Sequence, residues 1–351
     1  MMKQRIVPVG ILLAFVIAIL SYGFYVFNER EQERQAIPVK ASLQVYTDLP
    51  NSISSLLAEA YEAKYHVRIT MLPLTEEQLS KRMEATQILD DQNGDLVITN
   101  REILNRGVNA NKFQPIVIEE SDAVLDSFKN LEYLWVGLWY DPIVIAQSNE
   151  FFKREGRFIT TWHTLALDGD WRIIMTDFVA AQSAANILYS FVEVYGEEAA
   201  LKYFERLRPH VVQYSKFLVT PIRLAALGET DIGLGNYSDG MQYVSHNYPV
   251  TLLFPADGTP YYLVGAGILK SSKNTTESIQ FLKWLLHKDL AKLMADNGYY
   301  YIYTNPELEG PMDSMQRKVV LLGTSGDYND EGKKVLLNKW INQVRFRKVK
   351  E

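Results

Sequence analysis

An α/β fold with two lobes is predicted for the part of this chain that follows its N-terminal apolar run. Short β-rich runs alternate with amphipathic helical patterns from Leu43 onward, and the same grammar returns in the middle of the chain. The length of 351 residues gives room for two domains of ordinary size and a large core. Hydrophobic residues make up 47% and charged residues 22%, the balance of a folded globular protein rather than a disordered one.

The first element is not part of that fold. Ile6 to Phe27, "IVPVGILLAFVIAILSYGFYVF", carries no charge over 22 residues and follows Lys3 and Arg5. As a helix it would span roughly 33 Å, enough for a bilayer core of about 30 Å. A cleaved signal peptide has a shorter apolar region and a small-residue cleavage site. Here the run ends in Tyr25-Val26-Phe27 and leads straight into "NEREQERQ". The sequence therefore predicts a retained single-pass transmembrane helix over residues 1–27 and a polar tether over 28–41, with the rest extracytoplasmic.

The following elements alternate. "SLQVYT" reads as a strand, and the next helix, capped by Asn51 or Ser52, repeats apolar residues at Ile53, Leu56, Leu57, Ala60 and Tyr61. "HVRITMLPL" is a second strand, "TEEQLSKRMEATQ" opens with a Thr-x-x-Gln capping box, and "GDLVITN" is a third strand. This order favours a parallel sheet covered by helices. "WRIIMT" then predicts a strand, residues 180–195 a helix, "EEAALKYFERLR" a helix and "VVQYS" a strand. "TPIRLAALGE" is a short helix with Pro221 in its first turn, followed by the strand "TDIGLGN". "VTLLFP" and "YYLVGAGIL" are strands, and "TESIQFLKWLLHKDLAKLMADN" reads as one long amphipathic helix ending near Gly298.

Several chemistries are excluded. Without cysteine there are no disulfides, thiol nucleophiles, Cys-ligated metals or lipid-modified N-terminal cysteine. Histidines 66, 163, 210, 246 and 287 have no metal-binding spacing, and no G-x-S-x-G nucleophile motif occurs. Acidic pairs such as Glu197-Glu198 fall on helical faces. The sequence thus offers no catalytic site, cofactor site or metal site. A net charge of −6 without a basic stripe excludes nucleic acid as a partner.

The order "LQVYTDLP", "GDLVITN", "WVGLWYDPIVIAQS", "TTWHTLALDGDWRIIMTD", "VVQYSKFLVTPIRLAALGETDIGLG", "YPVTLLFPADGTPYYLVGAGIL" and "NGYYYIYTNPE" resembles extracellular solute-binding proteins of the type-2 periplasmic-binding class. It is most similar to the group of ferric-ion, phosphonate, phosphoglycerate and sugar-phosphate binders of ATP-binding-cassette (ABC) importers. The resemblance covers about residues 42–310. It implies two lobes, 42–140 with 262–351 and 141–261, and a ligand trapped between them by hinge closure. It implies capture rather than catalysis, with an ABC permease as partner. The alternative is a ligand-sensing regulatory protein coupled to a membrane sensor kinase.

The resemblance also places candidate residues at the cleft. Helix N-termini carry unpaired N–H groups and about half a positive charge, so they hold anions where bulky side chains do not obstruct them. Three such termini are Asn51-Ser52, Ala181-Gln182-Ser183 and Val219-Thr220. Thr47 with Asp48, and Thr99, Asn100 and Arg101, end strands where open α/β sheets bind ligands. Asp48 suits a helix cap or a ligand ammonium. In ferric-ion relatives adjacent tyrosines ligate iron after the strand corresponding to "DIGLGN". Here Tyr237 stands alone, so it is expected to hydrogen-bond or stack on an organic ligand. The ligand-binding set is Thr47, Thr99, Asn100, Ala181, Gln182, Ser183, Thr220 and Tyr237, and the expected solute is a small oxyanion, an organic phosphate or phosphonate.

Overall fold

The computed structural model describes residues 21, 22, 25, 41–85, 94–308, 319–323 and 330–346. The transmembrane helix and tether expected over 1–41 lie outside the described residues, apart from Ser21, Tyr22, Tyr25 and Ala41. No described helix is long and apolar enough to cross a membrane.

The strands are β1 (Ala41–Thr47), β2 (Val67–Pro73), β3 (Leu96–Asn100), β4 (Val136–Ser148), β5 (Ile173–Thr176), β6 (Val211–Ser215), β7 (Ile232–Asn236), β8 (Val250–Leu253), β9 (Thr259–Ile268), β10 (Ile302–Tyr303) and β11 (Leu321–Leu322). Helices of eight residues or more are α1 (Asn51–Tyr65), α2 (Glu76–Glu84), α3 (Arg101–Asn109), α4 (Gln182–Tyr195), α5 (Glu197–Leu207), α6 (Val219–Ala226), α7 (Tyr237–Ser245), α8 (Thr275–Leu285), α9 (Lys288–Asp296) and α10 (Asp330–Trp340).

The strands run in the order β2-β1-β3-β9-β4-β7-β5-β6. β1, β2 and β3 are mutually parallel, as are β5, β6 and β7, so each set turns its carboxyl ends one way. The sheet is nevertheless mixed. β9 runs antiparallel to β3, and β4 runs antiparallel to both β9 and β7. The predicted parallel pairing therefore holds within each set of three strands, but not across the sheet as a whole.

β4 joins the two half-sheets. Its residues from Val136 to Pro142 pair with β9, and those from Ile143 to Gln147 pair with β7. Pro142, which has no N–H to give a ladder, sits at the exchange. β9 begins beside the same point, where the Thr259 hydroxyl donates to the Ile143 carbonyl, 2.5 Å away.

Local chemistry explains where helices start and stop. The Thr75 hydroxyl accepts from Gln78 N–H while the Gln78 side chain accepts from Thr75 N–H, which is the capping box read from sequence. α1 differs from expectation. Pro50, rather than Asn51 or Ser52, is its N-cap, and the Pro50 carbonyl accepts from Ile53 and Ser54. The long helix predicted over 276–297 is two helices. His287 is extended, and its ring nitrogen accepts from Asp289 N–H, so it caps α9 instead of continuing α8.

The described residues form two cores. One surrounds β1, β3, β9 and the first part of β4, and extends onto α6 and α7. The other gathers around β5, α4 and α5, with Phe178, Phe191 and Phe204 among its rings. The C-terminal helix was expected on the first lobe. Instead Leu336, Trp340 and Val344 are buried in the second core, with the Trp340 ring 4.7 Å from that of Phe178 and 5.7 Å from that of Tyr214. Around it Arg345 pairs with Asp177 at 3.2 Å and Lys339 with Glu197 at 2.6 Å. An amphipathic pattern requires that a face be buried; it does not say against what.

Candidate functional site

The carboxyl ends of β1 and β3, and the helix starts that follow β2 and β5, converge near the point where β4 changes partner. A cavity of ≈ 40 Å³, partly open to solvent, lies there. Asn100 to Glu102 form one wall, residues of α4 from Gln182 to Glu193 another, and Tyr261 to Leu263 of β9 the floor; Lys333 of α10 also lines it. Such a volume admits about a water molecule or two, well short of the several hundred Å³ of a typical small-molecule pocket.

The expected residues fall into several groups. Asn100 and Gln182 line this cavity together. Thr47 and Thr99 are buried and serve the protein's own groups: the Thr47 hydroxyl accepts from Leu49 N–H at 3.1 Å, and the Thr99 hydroxyl donates to Asp48 at 2.9 Å. Asn100 caps α3 by accepting from Ile103 N–H, and its amide donates to Glu76 at 3.3 Å. Ala181 is the extended N-cap of α4, and no side chain caps this helix; Ser183 follows, half-buried, in the first turn. Thr220 lies in the first turn of α6, likewise without a side-chain cap. Tyr237 is buried, its ring 5.3 Å from that of Phe254.

Acidic groups dominate the surroundings. Burial pushes the Asp48 carboxyl up to about 6 against the hydrogen bond from Thr99, with nearby Glu76 adding to the rise. Burial also raises Glu76, which accepts from the Tyr262 hydroxyl at 3.2 Å. Asp141, at the strand exchange, takes the first turn of α7: it accepts from Ser238 N–H at 2.9 Å and from the Ser238 hydroxyl at 2.6 Å. Burial drives Asp141 up to about 7 despite these bonds, with a further push from Asp239. Asp239 itself is raised to about 6 by burial. Beside them the Asn236 side-chain oxygen is buried without a hydrogen-bond partner.

Glu102 is the hub of the cavity. One oxygen accepts from Arg106 at 2.8 Å; the other accepts from Gln182 of α4 at 3.1 Å and from the Lys333 ammonium. That ammonium also lies 5.3 Å from the Tyr189 ring centroid. Arg101 donates to the Tyr261 hydroxyl with its guanidinium 5.0 Å from the ring centroid. Sequence reasoning did not find Glu76, Glu102, Asp141, Tyr189, Tyr262 or Lys333. Glu76 had a signal, as the first residue of a capped helix after a strand. Lys333 had none. Among the described residues no group of three or more His, Cys, Asp or Glu side chains is placed to hold a metal.

Asp141 makes the fold pH-sensitive in a defined direction. The folded state holds its proton more tightly than the unfolded chain, whose aspartates titrate near 3.8. Its contribution to stability is therefore present below that value and is lost as pH rises toward about 7. Asp48 and Asp239 act in the same direction but complete their loss near 6. Asp141→Asn should therefore shrink the fall in melting temperature between about pH 6 and 7.5. An unchanged fall would remove Asp141 as the titrating group.

A mixed sheet whose two parallel sets meet at shared antiparallel strands is the architecture of the periplasmic-binding-protein fold. Residues 45–300 match the family of bacterial extracellular solute-binding proteins, and the chain belongs to that family, whose members bind solutes and are not enzymes. A segment of 178 residues is 32% identical to an uncharacterized protein of Haemophilus influenzae, and covers 50% of this chain and 51% of that relative. The match thus spans about half the length of that curated relative.

Among solved structures, the periplasmic binding protein AfuA of Actinobacillus pleuropneumoniae, with exogenous fructose-6-phosphate bound, is similar at 23% identity and a TM-score of 0.68. That likeness covers 88% of this chain and 100% of AfuA. Iron-bound HitA of Pseudomonas aeruginosa is similar at 17% identity and a TM-score of 0.68, over 86% of this chain and 99% of HitA. At these identities the likeness establishes the fold alone.

Proposed function

We propose that this protein is the membrane-tethered receptor of an ABC importer and captures a small oxyanion-bearing solute, an organic phosphate or phosphonate, between two lobes. The observation that carries the reading is the start of α4. It follows a parallel strand, has no side-chain cap, and presents Ala181 and Ser183 next to Gln182, which lines the junction cavity. An uncapped helix start with small residues leaves backbone N–H groups and the positive dipole end available to an anion. The fructose-6-phosphate bound to AfuA makes a phosphorylated solute a natural first candidate. In this reading the lobes hinge where β4 and β9 pass between the half-sheets, the apolar run of residues 6–27 holds the receptor at the membrane, and the cavity opens to admit the solute.

Mass spectrometry of solute co-purified with the full chain tests the ligand class; a phosphorus-free neutral solute would overturn it. A charge-assisted hydrogen bond contributes about 1.5–3 kcal/mol, or roughly 10- to 150-fold in affinity. Ser183→Ala removes one side-chain donor and should weaken binding by about tenfold, the lower end of that range. Ala181→Leu obstructs the backbone approach and should cost more. Calorimetric titration with the co-purified solute decides, and unchanged affinity in both variants would mean that the start of α4 is only packed.

A further inference from the structure

We propose that the junction cavity contains an ammonium-binding subsite, formed by the Glu102 carboxylate and the face of Tyr189, which the chain fills with its own Lys333 until a solute carrying an ammonium group displaces it. The proposal rests on the oxyanion reading above and narrows it: the solute has a phosphate or phosphonate at one end and a primary amine at the other.

A cation is already seated in this place. The Lys333 ammonium is held by Glu102 and lies 5.3 Å from the Tyr189 ring centroid, the pairing of carboxylate and aromatic face by which proteins hold ammonium groups. The pair is largely shielded, with the Lys333 side chain 11% and that of Glu102 18% exposed, so its charges are little screened by solvent. Glu76 adds a second carboxylate close enough to interact with Lys333.

The lysine reaches the cavity from outside both parallel strand sets. α10 is anchored in the second core through Leu336, one turn beyond Lys333, and Trp340, two turns beyond it. Only the first turns of the helix have to move for the ammonium to leave, while the anchor stays. With Lys333 in place the cavity measures ≈ 40 Å³, so a solute of several carbon atoms enters only when the lysine withdraws. Gln182 links the two ends of the site. Its backbone belongs to the first turn of α4, where the oxyanion would lie, and its side chain bonds the same Glu102 oxygen as Lys333.

Two probes that differ only in the relevant group test this: glucose 6-phosphate and glucosamine 6-phosphate, which exchange a hydroxyl for an ammonium. They are titrated calorimetrically into the full chain in detergent, as wild type, Lys333→Met, and Lys333→Met with Glu102→Gln. In Lys333→Met the amino sugar should bind at least about tenfold more tightly than glucose 6-phosphate, the effect of one charge-assisted contact. Wild type should show a smaller preference, because its own lysine competes, and the double variant should show none. A Lys333→Met protein that binds both sugars equally overturns the subsite while leaving the oxyanion reading intact. If neither sugar binds, hexose phosphates are not the solute, the oxyanion reading is decided by the co-purified solute, and the subsite is judged by methylammonium chloride alone. That salt should then raise the melting temperature of Lys333→Met above its value in equal sodium chloride, and the double variant should not respond. No such difference overturns the proposal.

Discussion

Trp340→Ala lowers the unfolding free energy by about 3–5 kcal/mol, the range for truncating a large aromatic residue in a core. Trp340 is 1% exposed, and its ring meets those of Phe178 and Tyr214. Little nearby can collapse into the space, because Phe178 also packs on Phe204 and belongs to the tightly interlocked ring cluster of the second core. Urea denaturation of the full chain, read by far-ultraviolet circular dichroism, measures the loss. A loss below about 1 kcal/mol would mean that the C-terminal helix is laid on the surface rather than built into the core. The same variant loosens the anchor of Lys333, so its preference for glucosamine 6-phosphate over glucose 6-phosphate should move toward that of Lys333→Met.

Gly233→Ala has an effect of similar size by the opposite mechanism. A Cβ at Gly233 of β7 would stand 2.2 Å from the carbonyl oxygen of Pro221 and 2.6 Å from its carbon. These are backbone atoms of α6, which cannot rotate away as a side chain does, so the helix must lift off the sheet. Overpacking costs typically about 1–3 kcal/mol and more where backbone must shift, and we expect at least 3 kcal/mol here. Gly235→Ala is the control. Its Cβ would come within 2.8 Å of the Ile222 side chain, which can change rotamer, so the loss should be distinctly smaller. Equal losses in the two variants would show that α6 is free to shift along β7.

What could be read from sequence followed from local physical chemistry. The capping box at Thr75 and Gln78 needs only neighbours in the chain, and it stands as read. So do the apolar runs that became β1, β3, β5 and β7, whose carboxyl ends place Thr47, Asn100 and Tyr237 near the strand junction. What could not be read lies where distant parts meet. Nothing local in "WVGLWYDPIVIAQS" tells that β4 runs unbroken through Asp141-Pro142 with each half on a different partner strand. The side-chain partners of Thr99 and Asn100, the half-buried carboxylates of Asp48 and Glu76, come from other elements and leave no mark in the local sequence. His287 was read through as helix because nothing local marks a histidine as a cap. Lys333 follows a helical pattern like any exposed lysine, and only the docking of Trp340 brings it to Glu102.

β4 and β9 carry a mechanical consequence. Two antiparallel strands side by side form a flat strap, compliant to flexing across its width and stiff against shear, because shear would break the ladder between Asp141 and Tyr262 and between Pro142 and Tyr261. Under the hinge proposed above, relative travel of the two half-sheets would be confined to a single arc. The first turn of α4 and the end of β3 would then approach along a fixed path, so Gln182 would return to Glu102 in the same register on every excursion. A solute would thus be gauged for length as well as charge, since jaws on one arc come to rest at whatever gap the molecule between them leaves.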